Sequence, residues 1–81
     1  MHEVGIVQNL VKELLERIES KKLTEKPTKI FITLGDGLRI SEESLNFWFN
    51  DFAKNTVLEG AKLQVNAVDG NKIIIDSLEV E

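Results

Sequence analysis

The chain has no cysteine, and only one histidine, one proline and one tryptophan in 81 residues. Without cysteine, neither a disulfide nor a thiolate metal site can form. One histidine and no cysteine leave few ways to build an active site, and no Ser-His-Asp, Cys-His or paired-carboxylate arrangement is visible, so an enzyme is not expected. An excess of positive charge is also missing: 14 acidic residues outnumber 10 basic ones, for a formal net charge of −4. Nucleic-acid binding rests on phosphate neutralisation, so nucleic acid is not an expected partner. Lys21, Lys22, Lys26 and Lys29 do gather, but Glu19 and Glu25 dilute them, and the run reads as a solvated connection. No apolar run exceeds a few residues, so no membrane span is expected. The acidic, amphipathic amino terminus lacks the blocks of a signal peptide, and the cytoplasm is the expected location.

What remains is the composition of an ordinary globular protein, 42% hydrophobic and 30% charged. The length suits a single domain over residues 1–81, small enough that self-association to a homo-oligomer would add useful burial. Val4, Val7, Leu10, Val11, Leu14, Leu15 and Ile18 recur at helical spacing and predict an amphipathic helix over about residues 4–21. Pro27 pushes Lys26 toward an extended conformation and leads into a strand. In that strand Ile30, Ile32 and Leu34 point one way, and Phe31 and Thr33 the other.

Gly35-Asp36-Gly37 ends the strand and lacks the spacing and lysine of a phosphate loop. Ser41 is a good N-cap, with Glu42 and Glu43 in the first turn of a second helix running to about Asn55. Leu45, Phe49 and Phe52 are its core residues; Phe47 and Trp48 are adjacent and cannot both face inward, so one is a candidate contact point. Leu63, Val65 and Ala67 mark a second strand, and about Lys72 to Val80 a third. Asp69-Gly70 between them signals a tight two-residue hairpin. The expected fold is α+β, in the order α-β-α-β-β, with two helices on one face of a small three-stranded sheet.

Four stretches, taken in order, resemble the hydrogenase nickel-incorporation HypA family. They are Met1-His2-Glu3 leading straight into a helix; Leu34-Gly35 followed by Glu43-Ser44-Leu45-Asn46-Phe47-Trp48-Phe49; Glu59-Gly60-Ala61-Lys62-Leu63; and the tail Ile75-Asp76-Ser77-Leu78-Glu79-Val80-Glu81. The resemblance is to the family's nickel-binding lobe. The family inserts a zinc lobe, built on two cysteine pairs, between its second and last strands, whereas here Val68-Asp69-Gly70-Asn71 closes that gap. Structural zinc is therefore not expected. Arg39 stands where the family usually has a second glycine, and Trp48 where a small residue is common.

On residues alone, His2 reads as an exposed polar residue near a terminus, and Glu3 as a carboxylate that helps a helix start. The resemblance gives them another role, with Met1, His2 and Glu3 as the metal site. The α-amine of Met1, the backbone nitrogen of His2 and its imidazole can chelate one ion in adjacent small rings, a nitrogen-rich set that suits nickel(II) and copper(II). Glu3 would support that site, and Asp36 is a candidate to face it. The bulk of His2 disfavours removal of the initiator methionine. The resemblance implies a nickel-binding metallochaperone for hydrogenase or urease maturation, partnered by a HypB-type GTPase and a nickel-enzyme precursor. The alternative is a protein-interaction or regulatory module that keeps the fold and moves no metal.

Overall fold

The computed structural model describes the backbone of residues 2–80 and the side chains of residues 4–80. Helix α1 spans His2–Ser20. Its buried stripe, Val7, Leu10, Val11, Leu14 and Ile18, follows the helical spacing of the sequence. It ends in a left-handed residue, Lys22, at φ 54°. There the Lys22 amide donates to the Glu19 carbonyl at 3.1 Å and the Leu23 amide to the Ile18 carbonyl at 3.2 Å, which satisfies two carbonyls of the last turn.

Strand β1 (Pro27–Gly35) follows, then a 3-10 turn at Asp36–Leu38 and helix α2 (Glu42–Phe52). Ser41 caps α2 as its chemistry suggests: its hydroxyl oxygen accepts from the Ser44 amide at 3.0 Å. Strands β2 (Lys62–Val68) and β3 (Ile73–Val80) complete the chain. The α-β-α-β-β order and the α+β class are as the sequence predicts.

The Asp69-Gly70 hairpin is not formed. The sheet order is β2-β1-β3, so the last two strands flank β1 and never pair with each other. β2 runs parallel to β1, with Ile30 beside Leu63 and Ile32 beside Val65, while β3 runs antiparallel to β1. The reason is the second helix. A strand, a crossover helix and a strand make a parallel neighbour, which uses one side of β1 and leaves the other for β3. Asp69-Gly70 therefore belongs to a link that passes over the end of β1.

That link is tied down by two backbone hydrogen bonds. The Gly35 amide donates to the Lys72 carbonyl at 2.8 Å, and the Gly37 amide to the Gly70 carbonyl at 2.6 Å. Gly35 and Gly37 both leave room for it, because a Cβ at either position would lie within 2.6 Å of the Gly70 carbonyl oxygen. Gly70 itself has φ 126°, a conformation open to glycine.

One face of the sheet carries the helices. Ile30, Ile32 and Leu34 of β1 meet Leu63, Ile75, the α1 stripe, and Leu45 and Phe49 of α2 in a single apolar core. Phe49 is fully buried at its centre. No polar or charged side chain is buried among the described residues. The opposite face holds Lys29, Phe31 and Thr33 of β1 with Gln64 and Asn66 of β2.

Arg39 is the one non-glycine residue of the β1–α2 connection in the left-handed region, at φ 58° and ψ 37°, and its side chain is exposed. An L-residue with a Cβ costs about 1–2 kcal/mol there, which glycine avoids. Arg39→Gly is thus expected to stabilise the fold by about 0.5–1 kcal/mol, once the greater freedom of glycine in the unfolded chain is subtracted. Thermal unfolding checks this: the midpoint should rise by a few degrees. A fall would mean that the arginine side chain holds the turn by more than its backbone strains it.

Candidate functional site

Of the three candidate metal residues, His2 and Glu3 open α1. Met1 and the side chains of His2 and Glu3 lie outside the described residues. The backbone of His2 and Glu3 forms the first turn of α1. The first four amides of a helix have no acceptor within it, so the His2 nitrogen is not engaged in the helical ladder. Just behind it, Val4 is half-buried, Gly5 exposed and Val7 fully buried, so the core begins about one turn in.

Asp36 is exposed in the 3-10 turn after β1. Among the described residues, no group of three or more His, Cys, Asp or Glu side chains converges to hold a metal. The Asp76 carboxylate accepts a 2.7 Å hydrogen bond from the Thr33 hydroxyl on the open sheet face. Arg17 lies 3.5 Å from Glu13, one helical turn earlier on the same exposed surface. Exposed pairs of this kind are worth little in stability, and this one marks the solvated side of α1.

The aromatic residues of α2 divide as their adjacency requires. Phe47 is 64% exposed, and its ring stands edge-on to Trp48 at 5.1 Å between centroids. Trp48 is half-buried and stacks on Phe52 at 5.9 Å. Phe52 in turn forms one wall of an open cleft of about 830 Å³, with Val11, Leu15 and Ile18 of α1 and with Leu23 and Val57. Six of its eleven lining residues are apolar, and Gln8, Lys12, Glu16, Glu19 and Lys22 make up the rest. This surface, split between a long helix and a later loop, was not legible in the sequence; the only hint was the crowding of Phe47, Trp48 and Phe52. Among the described residues no helix is long and apolar enough to cross a membrane.

Comparison with known proteins points one way. The family model described as hydrogenase/urease nickel incorporation, metallochaperone, hypA matches residues 1–79. The hydrogenase maturation factor HypA of Caldanaerobacter subterraneus subsp. tengcongensis is 41% identical over 63 residues, covering 78% of this chain and 54% of that protein. The HypA of Archaeoglobus fulgidus is 32% identical over 66 residues, covering 82% of this chain and 59% of that protein. The HypA of Methanocaldococcus jannaschii is 30% identical over 95 aligned positions, covering 99% of this chain and 77% of that protein. Those 95 positions exceed the 81 residues present here, so that relative carries residues with no counterpart in this chain. The matched stretch is a little over half the length of the first two relatives.

Proposed function

Because the chain belongs to the HypA family of hydrogenase and urease nickel-incorporation metallochaperones, we propose that it carries nickel(II) as cargo at its amino terminus, for delivery to a nickel enzyme under maturation. The observation that carries this reading is the sequence Met1-His2-Glu3, with α1 beginning at His2. The ligands are the Met1 amine, the His2 backbone nitrogen and the His2 imidazole, with Glu3 in support. The metal must displace the proton of the His2 amide. That amide stands where a helix leaves its donors free, so binding sacrifices no helical hydrogen bond.

Electrostatics sets the strength of the site. The positive end of a helix dipole disfavours a cation by a few tenths to about 1 kcal/mol. Loss of the amide proton, the Glu3 carboxylate and the net charge of −4 oppose that term. A site of three nitrogens under these opposed influences holds its ion without trapping it, which suits a carrier. In this reading residues 1–81 act as one nickel-binding domain in the cytoplasm, alongside a HypB-type GTPase. The protein is a carrier and not a catalyst, and without cysteine it has no thiolate to bind zinc. A second reading, an interaction module that moves no metal, draws on the exposed Phe47 and the partly apolar cleft beside Phe52.

Calorimetric titration of untagged protein, with Met1 verified by mass spectrometry, separates the two. One nickel(II) should bind per chain, and His2→Ala should weaken binding by about a hundredfold, equivalent to about 2.7 kcal/mol. Protons compete for the amine and the imidazole, so binding should weaken as the pH is lowered. Equal binding by His2→Ala, or no binding by the native chain, would leave the interaction module as the better account.

A further inference from the structure

The two outer strands of the sheet are finished differently. On β3, Phe31 of β1 faces Ser77 while the next residue, Ile32, faces Ile75, so Asp76 is an extra residue bulged out of the ladder. A bulge bearing a carboxylate, followed by Glu79, is one of the ways proteins keep an edge strand from pairing further. β2 has no such device. Its seven residues match β1 one for one from Lys62 to Val68, without a bulge or a proline, and Lys62 is its only charge. Among the described residues β1 is the only strand bonded to it. Ala67 is exposed although it sits beside buried Leu34 on the helix-bearing side, and Val68 is 39% exposed.

We propose that the free edge of β2 pairs antiparallel with β2 of a second copy of this chain, about a two-fold axis at Val65, and so makes one six-stranded sheet. The strand is complementary to itself in that register. Centred on Val65, all seven residues find partners: Lys62 faces Val68 of the other copy, Leu63 faces Ala67, and Gln64 faces Asn66. Each of these pairs falls on a single sheet face. Leu63, Val65 and Ala67 extend the apolar layer under the helices, and the carboxamides of Gln64 and Asn66 meet on the open face, where each can donate and accept. The one charge of the strand meets no like charge. A shift of the centre by one residue in either direction leaves residues at the strand ends unpaired, so the full-length register is favoured.

This inference is independent of metal binding, and charge at positions 64 and 66 tests it. Sedimentation equilibrium of the untagged protein up to about 100 µM should show a reversible dimer, the weak association expected of a small interface. The double variant Gln64→Lys, Asn66→Lys places two like-charged pairs across the axis and should weaken dimerisation about tenfold or more. Gln64→Lys with Asn66→Glu places opposite charges across it and should return dimerisation to within about threefold of the parent. Both positions are exposed, and circular dichroism reports whether the variants fold. Amide exchange in the unsubstituted protein gives a second reading: protection across Lys62–Val68 should grow with concentration. A parent that stays monomeric, a lysine pair that leaves the dimer unchanged, a folded Lys-Glu variant that fails to recover it, or exchange that ignores concentration each overturns the proposal.

Discussion

One extra residue ahead of Met1 is expected to abolish stoichiometric nickel binding in a protein that still folds. The extension converts the terminal amine into an amide, whose nitrogen lone pair is delocalised and coordinates only after a further proton is lost. The two remaining nitrogens close one chelate ring instead of two. An affinity loss of at least about a hundredfold should follow, at about 1.4 kcal/mol for each factor of ten. The fold should not respond, because the buried stripe of α1 begins at Val7 and Gly5 is exposed. The comparison is a calorimetric nickel titration of the native chain against one lengthened by a single glycine, with far-ultraviolet circular dichroism of both. Copper(II) should show the same dependence and bind more tightly to the native chain, following the usual order of divalent metals. If the lengthened chain binds nickel as well as the native one, the ligands lie elsewhere and the amine has no part in the site.

The helices and the central strand were legible in the sequence because their signals are local. The α1 stripe, the Ser41 cap and the alternation of Ile30, Ile32 and Leu34 each lie within a few residues of what they determine. The pairing of the last two strands was not legible for the opposite reason. Asp69-Gly70 is a sound turn signal, but which strand lies beside β1 is settled by the α2 crossover and by contacts distant in sequence, such as Ile30 beside both Leu63 and Leu78. The Asp76 bulge was hidden too, since it depends on a register that two strands set jointly. The proposed metal terminus is a different case. Nothing in composition or periodicity separates a ligand histidine from an ordinary terminal one, and the role proposed for Met1-His2-Glu3 rests on the family resemblance. What the fold adds is the start of α1 at His2, which leaves that amide without a helical acceptor.

The crossing over β1 makes Gly35 the position where the smallest substitution should do the most harm. Its backbone is ordinary extended chain, φ −74° and ψ 130°, so alanine would meet no conformational objection there. The objection is contact: a Cβ would stand 2.5 Å from the Gly70 oxygen, 2.6 Å from the Gly70 carbonyl carbon and 2.8 Å from the Asn71 nitrogen. All three are backbone atoms, so no side chain can swing aside and the link itself must lift. Lifting it strains the bonds from Gly35 to Lys72 and from Gly37 to Gly70. Overpacking costs about 1–3 kcal/mol, and each weakened hydrogen bond up to about 1 kcal/mol more. Gly35→Ala should therefore lose about 2–4 kcal/mol, a large share of the roughly 4–12 kcal/mol expected for a domain of this size. Gly5→Ala is the natural control, because a Cβ there meets nothing within 4 Å and alanine suits a helix; it should gain up to about 1 kcal/mol. Urea unfolding of the three proteins measures both shifts from their midpoints. An unchanged midpoint for Gly35→Ala would show that the link does not press on β1, and that β2 and β3 are held apart by the α2 crossover alone.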